Sequence, residues 1–294
     1  MTRSVFVLLT GRPNVGKSTL TNSLIGEKVA IVSKKPQTTR NKIVGVLTEN
    51  EDQYVLIDTP GLHSPKNLLG NYMMKAIGNA SADADVILFI VDASLSLNKI
   101  EHETLEAYSK SNRNVILIIN KIDCLNKLKL LDYMDAIHQK YNFQTIIPIS
   151  ALTGDGVDIV KKELAKYLVE SPHFFPDDIT SDQPERQLVA EVIREKILRL
   201  TDDEIPHGVA VVIEDYKESK SIIKIRAEIY CEKESHKSIL IGNKGDMLKK
   251  IGSYAREDLE EMLGIKIFLD LWVKTKENWR DRQGFLNSFG YKDE

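Results

Sequence analysis

The segment Val5-Phe6-Val7-Leu8-Leu9-Thr10-Gly11-Arg12-Pro13-Asn14-Val15-Gly16-Lys17-Ser18-Thr19 decides the fold of the first half of the chain. Its apolar run predicts a buried strand, and residues 11–18 fit the pattern G-x-x-x-x-G-K-[ST]. In this pattern two glycines let backbone N–H groups turn onto phosphate, the lysine reaches the terminal phosphates, and the serine hydroxyl ligates Mg²⁺. A helix is expected directly afterwards, from Thr19 to Ile25. The segment therefore predicts a nucleotide phosphate site on a strand–loop–helix unit.

Short apolar runs recur along the first half and predict a mixed, mainly parallel α/β sheet with helices on both faces. Most runs are separated by enough residues for a crossover helix. The exception is the pair at residues 42–48 and 54–57, whose short gap predicts an antiparallel hairpin. A last helix is expected from about Gly156 to Val169. The runs are residues 5–9, 54–57, 86–91, 115–119 and 146–149.

Length and composition restrict the class of protein. The 294 residues carry 40 Lys and Arg against 43 Asp and Glu, and 42% are hydrophobic. Two domains with separate cores are therefore expected, and a globally basic nucleic-acid binder is excluded. Cys124 and Cys231 fall in no metal or redox pattern, which predicts reduced thiols and a cytoplasmic protein. No apolar run approaches the ~20 residues of a membrane span, so a soluble protein without a transmembrane segment is expected.

Three further motifs lie at the ends of predicted strands. Asp58-Thr59-Pro60-Gly61 offers a carboxylate to Mg²⁺ and a glycine N–H to the γ-phosphate. Asn120-Lys121-Ile122-Asp123 offers the Asp123 carboxylate to the ring N–H and the amine of guanine, which adenine lacks. Ser150-Ala151-Leu152 offers a backbone N–H to the guanine O6. Each motif alone is weak, but four in this order predict a guanine nucleotide site and disfavour a phosphate-loop kinase.

The second half of the chain has a different order of predicted elements. A proline-containing stretch at residues 171–184 predicts a linker between a first domain at residues 1–170 and a second at residues 185–294. The order of elements beyond it is α-β-β-α-α-β, which predicts an α+β domain. The expected helices are residues 186–200 and 249–263, and the expected strands are residues 208–214, 221–230 and 266–273.

Residues 241–252 carry a G-x-x-G turn between two helical stretches. Its glycines allow a nucleic-acid backbone to approach closely, and four lysines between Lys237 and Lys250 oppose a single acid, Asp246. This pattern is typical of a KH domain, whose G-x-x-G loop clamps about four nucleotides. With the order of elements, it predicts a type II KH fold that binds RNA. The expected RNA contacts are Ile241, Gly242, Asn243, Lys244, Gly245, Lys249 and Lys250.

A second group of cations, at residues 274–282, lies beside two tryptophans. Aromatic rings among cations favour base stacking next to phosphate contacts, although a solvated charged face has the same composition. We expect Trp272 to pack in the core and Trp279, which lies beyond the last strand, to be open. Lys274, Trp279 and Arg280 are therefore further candidate RNA contacts.

The motifs resemble those of the translation-factor-related GTPases, and the chain is similar to the Era family of bacterial Ras-like GTPases over nearly its whole length. The resemblance implies GTP hydrolysis, binding to the 3′ end of 16S ribosomal RNA, and maturation of the small ribosomal subunit. It also implies a peripheral place at the inner face of the cell membrane, and we expect a monomer. The residues that carry it are 11–19, Pro36-Gln37-Thr38-Thr39-Arg40, 58–61, Glu204-Ile205-Pro206, Leu271-Trp272-Val273-Lys274 and Trp279-Arg280-Asp281.

The resemblance also implies the roles of individual residues around GTP or GDP and Mg²⁺. The expected Mg²⁺ ligands are Ser18, Thr39 and Asp58, and the expected catalytic residues are Lys17, Thr39 and Gly61. Asn14 resembles the asparagine that holds an activating ion in some related GTPases, which makes K⁺ a hypothesis. The expected nucleotide contacts are Gly11, Arg12, Pro13, Asn14, Val15, Gly16, Lys17, Ser18, Thr19, Asp58, Thr59, Pro60, Gly61, Leu62, Asn120, Lys121, Ile122, Asp123, Ser150, Ala151 and Leu152.

Three points stay open in the sequence. Thr38 fits the switch position on composition as well as Thr39, which is preferred because it directly precedes Arg40. Leu62 stands where Ras-type GTPases have the glutamine that orients water, so slow intrinsic hydrolysis is expected, and the adjacent His63 is a weaker candidate for that role. The second domain could instead engage a protein or a membrane, and a steep salt dependence would identify RNA.

Overall fold

The computed structural model describes residues 1–292, and these residues divide into two units. The first comprises residues 1–30, 39–64 and 73–182, and the rest belongs to the second. The second unit therefore includes residues 31–38 and 65–72, which the sequence division assigned to the first domain. Residues 31–38 form a loop and residues 65–72 include the start of a helix, and neither segment carries a pattern that shows what it packs against.

The first unit contains a seven-stranded sheet with its helices and connecting loops. The strand order is β2-β3-β1-β4-β5-β6, with β7 added antiparallel to β1. The elements are β1 (Arg3–Gly11), α1 (Lys17–Ile25), β2 (Ile43–Glu49), β3 (Asp52–Asp58), α2 (Leu68–Asp83), β4 (Val86–Asp92), α3 (Lys99–Ser109), β5 (Asn114–Asn120), α4 (Lys127–Lys140), β6 (Thr145–Pro148), α5 (Val157–Leu164) and β7 (Val169–Glu170).

The predicted α/β class is confirmed, because β1 pairs in parallel with β3 and β4, while β2 and β3 form the predicted antiparallel hairpin. Helices cover both faces: Val7 packs with Leu20 of α1, while the adjacent Leu8 packs with Ala80 of α2. The last helix is shorter than predicted. It ends at Leu164, where a short 3₁₀ turn takes over.

The stretch predicted to be a linker between domains belongs to the first unit up to residue 182. The Gln53 side chain accepts a hydrogen bond from the Phe174 N–H at 2.8 Å and donates one to the Phe175 carbonyl at 2.9 Å. The Val46 N–H donates to the Thr180 carbonyl at 2.8 Å. The proline-rich composition thus marks an irregular segment that is nevertheless packed.

The second unit has the predicted order of elements around a three-stranded sheet, β10-β9-β8. β8 and β9 are antiparallel, whereas β9 and β10 are parallel, with two helices in the connection. One sheet face packs against α6 and α8, and Ile193, Leu259 and Ile225 belong to the same buried apolar cluster. The elements are α6 (Glu185–Leu200), β8 (Ala210–Glu218), β9 (Ile222–Cys231), α7 (Glu234–Ile241), α8 (Asp246–Leu263), β10 (Lys266–Thr275) and α9 (Gln283–Ser288).

Among the described residues, no helix has the length and apolar character needed to cross a bilayer. Both cysteines are free thiols; Cys124 is exposed and Cys231 is buried.

Candidate nucleotide and RNA sites

The phosphate loop, residues 11–18, runs from β1 into α1 and depends on two glycines. Gly11 and Gly16 have φ angles of +146° and +100°, which other residues rarely adopt. A Cβ atom at Gly11 would lie 2.3 Å from the Ile90 carbonyl oxygen, and one at Gly16 would lie 2.2 Å from the Asn120 amide nitrogen. The loop can therefore curl only with glycine at these positions, and it leads into the positive end of α1.

Two opposite charges are buried beside the loop. The Lys17 side chain is 5% exposed, and its Nζ donates to the carbonyls of Gly11 and Arg12 at 3.2 and 3.1 Å. Burial lowers the pKa of Lys17 to about 8, against the opposing effect of the Asp58 charge. Burial likewise raises the pKa of Asp58 to about 6, while Lys17 opposes the shift. Both groups carry a desolvation cost that a phosphate and a cation at this site would offset.

The three predicted metal ligands lie together. The Ser18 hydroxyl donates to Asp58 Oδ2 and lies 2.9 Å from the Thr39 hydroxyl. The other Asp58 carboxylate oxygen, Oδ1, is buried and has no hydrogen-bond partner among the described residues. One carboxylate and two hydroxyls are oxygen ligands of the kind that Mg²⁺ uses beside nucleotide phosphates, so these residues fit that ion.

Residues 58–61 lie directly against the phosphate loop. A Cβ at Gly61 would be 2.4 Å from the Pro13 nitrogen, and the Leu62 N–H donates to the Gly11 carbonyl at 2.9 Å. The Leu62 side chain packs against the apolar core, so it offers nothing to a water molecule. The Thr59 hydroxyl donates to the Leu9 carbonyl at 2.8 Å, and its side chain therefore holds the motif on β1.

Asn120 joins the strand-end motifs of the base site. Its amide group donates to the Val15 carbonyl at 2.6 Å and accepts a hydrogen bond from the Ala151 N–H at 2.9 Å. Asp123 is exposed, and a hydrogen bond from the Ser150 hydroxyl is the main cause of the lowered pKa of its carboxyl. An ionised carboxylate facing solvent at this position can accept both guanine donors.

The sequence interpretation missed Asp92 at the end of β4. Its buried carboxylate pairs with Lys121 Nζ at 2.6 Å and accepts from the Ser94 N–H at 2.9 Å. Lys121 is thereby fixed beside the base motif. The position at a strand end is the only sequence signal that could have identified Asp92, because the surrounding residues match no motif.

The G-x-x-G turn connects α7 to α8 and borders a groove. Gly242 and Gly245 have φ angles of +75° and +85°, and a Cβ at Gly242 would lie 2.1 Å from an Asp246 carboxylate oxygen. The groove is a cavity of about 340 Å³ between the turn, α8 and β10. Its lining includes the predicted Gly245 and Lys249 together with Leu248, Arg256, Leu269 and Leu271. Arg256 was missed, although it follows Lys249 by two helical turns on the same face of α8.

The expectation for the two tryptophans is wrong in both cases. Trp279 is fully buried, and its indole N–H donates to the Gly208 carbonyl at 2.9 Å, so its ring is closed to a base. Trp272 is 57% exposed, because alternation along β10 turns Leu271 and Val273 towards the core. The predicted cations Lys274 and Arg280 pair with Glu228 and Glu232.

Two protein families match separate parts of the chain. Residues 6–121 match the 50S ribosome-binding GTPase family, and residues 204–280 match the KH domain family. GTPase Era of Ruminiclostridium cellulolyticum is 49% identical over 99% of this chain and 98% of its own. GTPase Era of Clostridioides difficile is 50% identical over the full length of both chains. A crystal structure of Era with MgGDPNP and nucleotides 1506–1542 of 16S ribosomal RNA has a TM-score of 0.95 at 41% identity, covering 99% of each chain.

The fold and the four nucleotide motifs define a Ras-like GTPase joined to a KH domain, an enzyme that hydrolyses GTP. Because about half of its residues are identical to those of these two relatives over nearly their whole length, the chain belongs to the Era family of GTPases. The predicted family and fold are thereby confirmed.

Proposed function

We propose that this protein is a GTP-driven assembly factor that binds the 3′ end of 16S ribosomal RNA and promotes maturation of the small ribosomal subunit in the cytoplasm. The observation that carries the proposal is the groove bordered by the G-x-x-G turn, where glycines admit a nucleic-acid backbone. Lys249 supplies positive charge there, together with Arg256, which also pairs with Glu260 at 3.5 Å. The RNA bound in the similar Era structure supports the choice of 16S RNA.

In this proposal each residue of the nucleotide site has a task. The phosphate loop would hold the phosphates of GTP with its N–H groups and Lys17, and the Gly61 N–H would contact the γ-phosphate. Ser18, Thr39 and Asp58 would hold Mg²⁺, which neutralises charge on the phosphates when bound. Because Leu62 packs in the core, no group at its position orients water, and a low intrinsic rate is expected.

The contacts of residues 31–38 within the second unit suggest how the nucleotide state reaches the KH domain. Arg194 of α6 is fully buried; it pairs with Glu191 and donates to the Thr38 carbonyl. The next residue, Thr39, lies beside the proposed metal site in the first unit. Movement of Thr39 on GTP binding would therefore pull directly on a segment held by α6. GTP can shift the equilibrium between the conformations before and after this movement only through its different affinity for each of them.

Two finer proposals concern an ion and a membrane. Asn14, which has a left-handed φ of +65° in the phosphate loop, is the proposed contact to an activating K⁺. Equal GTP turnover in potassium and sodium buffers would exclude that role. Peripheral membrane association is tested by co-flotation of the protein with vesicles of anionic lipid, at the salt concentration used for RNA binding.

The deciding experiment is fluorescence anisotropy of a labelled single-stranded RNA with the 16S 3′ sequence, with a GTP analogue, with GDP, and without nucleotide. We expect tighter, salt-sensitive binding with the analogue. Arg194→Lys keeps a positive charge next to Glu191 but loses the planar guanidinium group and its several N–H donors. The variant should therefore still bind RNA, but with an affinity that no longer depends on the bound nucleotide. Absence of RNA binding in every state would favour a protein or membrane partner.

A further inference from the structure

The solvent face of the second unit's sheet carries two large aromatic side chains. Phe268 and Trp272 of β10 are each 57% exposed. Neither ring packs on another ring among the described residues, and the Trp272 indole N–H donates to Asp270 Oδ2 at 3.0 Å, which fixes the ring. Exposed aromatic rings that share one face of an edge strand are unusual in a soluble domain and indicate a ligand.

Around these rings the cations of β9 and β10 outnumber the acids, since Arg226 pairs with Asp270 between the rings and only Glu228 lies opposite Trp272. In the register between β9 and β10, Lys224 lies opposite Phe268, and Lys266 and Lys274 lie two residues before Phe268 and after Trp272. Within residues 1–292, Lys224 and Lys266 take part in no ion pair, whereas Lys274 pairs with Glu228. The rings therefore lie among positive charges that the protein itself only partly neutralises.

We propose that this face of β9 and β10 is a second site for single-stranded RNA, taking nucleotides next to those in the G-x-x-G groove. The proposal rests on the proposed RNA function. Bases stack on exposed aromatic rings while lysines contact phosphates, which explains both the rings and the unpaired Lys224 and Lys266. A purely apolar protein partner would explain the rings alone.

The position of β10 makes the two sites continuous. It is an edge strand of the sheet, and side chains alternate between its two faces. Leu269 and Leu271 line the groove, whereas Phe268 and Trp272 point to the opposite face. An RNA strand that leaves the groove therefore reaches the rings by crossing a single strand edge. The rings are about 13 Å apart along the strand, so each takes its own base.

The test compares a groove-length RNA of about five nucleotides with the same RNA extended by about eight at either end. The extended RNA should bind more tightly, and Phe268→Ala or Trp272→Ala should each reduce its affinity about tenfold. Neither variant should change the affinity for the short RNA. Tyr254→Ala is the matched control, since that exposed ring lies on α8, outside both the groove lining and the sheet face.

Tryptophan emission gives an independent readout, because the chain has only Trp272 and the buried Trp279. The extended RNA should quench the emission, and Trp272→Phe, which keeps a ring, should remove the quenching and retain most of the affinity. Equal affinities for the two RNAs, or unchanged affinity in both alanine variants, would overturn this site alone. Failure of the short RNA to bind would overturn the groove and this site together. A change in Trp272 emission with anionic vesicles but not with RNA would assign the face to a membrane.

Discussion

Replacing Asn120 by alanine is expected to destabilise the first unit and to disconnect its nucleotide motifs. The side chain is 2% exposed and makes two short hydrogen bonds, to the Val15 carbonyl and from the Ala151 N–H. Alanine leaves both backbone groups buried without these partners, at about 1–3 kcal/mol each. The free energy of unfolding should therefore fall by about 2–5 kcal/mol, and GTP affinity should fall with it.

The location of the tryptophans allows this loss to be assigned to one unit. Trp272 and Trp279 both lie in the second unit, so their emission follows that unit during urea unfolding. Circular dichroism detects the unfolding of both units. The unfolding transition that moves to higher urea when Mg-GDP is added belongs to the first unit, because the nucleotide stabilises the unit that binds it. In Asn120→Ala that transition should move to lower urea, while the emission transition stays in place.

A matched variant shows whether burial is the cause. Asn126 caps α4 with one hydrogen bond from the Lys129 N–H at 2.9 Å, on the protein surface. Asn126→Ala should cost about 1 kcal/mol and leave nucleotide binding unchanged. If Asn120→Ala loses no more stability than Asn126→Ala, the argument that buried hydrogen bonds hold the motifs together is refuted.

Three other variants test the sites separately. Asp123→Asn should weaken GTP binding and favour xanthosine triphosphate, because an amide NH₂ can donate to the oxygen that xanthine carries in place of the guanine amine. Competition between the two nucleotides measures this preference, and an unchanged preference for GTP would contradict the prediction. In metal-free protein, the pKa of the Asp58 carboxyl is raised from 3.8 to about 6, so its contribution to stability is complete below pH 4 and is lost as the pH rises through 6. Unfolding in a chelator between pH 4 and 7 should show a loss of up to about 3 kcal/mol, and the reasoning fails if Asp58→Asn shows the same pH dependence. Gly245→Asp should abolish RNA binding with GTP turnover intact, because the carboxylate would enter the groove. A Cβ at Gly245 meets no atom within 4 Å, and the φ of +85° adds only a local backbone strain that aspartate tolerates better than most residues. Retained RNA affinity in the anisotropy assay would remove the groove assignment.

The fold was predictable where neighbouring residues determine local structure. The phosphate loop needs glycine at Gly11 and Gly16, and the short gap between β2 and β3 leaves room for a turn but not for a helix. Apolar runs such as residues 86–91 identify buried parallel strands. In each case the sequence signal lies within a few neighbouring residues, although the contact that it serves can be distant, as between Gly11 and Ile90.

Long-range contacts were not predictable in the same way. No pattern in residues 31–38 shows that Arg194 will donate to the Thr38 carbonyl, more than 150 residues away. Because Trp279 follows the last predicted strand, its side chain was expected to be exposed. The Gly208 carbonyl and the ring of Tyr291 instead enclose its indole. Such contacts depend on how distant segments pack, and the residue type alone is compatible with either outcome.

The parallel pairing of β9 with β10 has a consequence for the timing of synthesis. α7 and α8 connect the two strands, so β10 can join the sheet only after the chain as far as residue 275 has emerged from the ribosome. The phosphate loop and base motifs are complete by residue 152. A nascent chain should therefore acquire its guanine nucleotide site well before it can hold RNA. A newly made molecule would then be able to bind GTP before it could bind the RNA that we propose as its target.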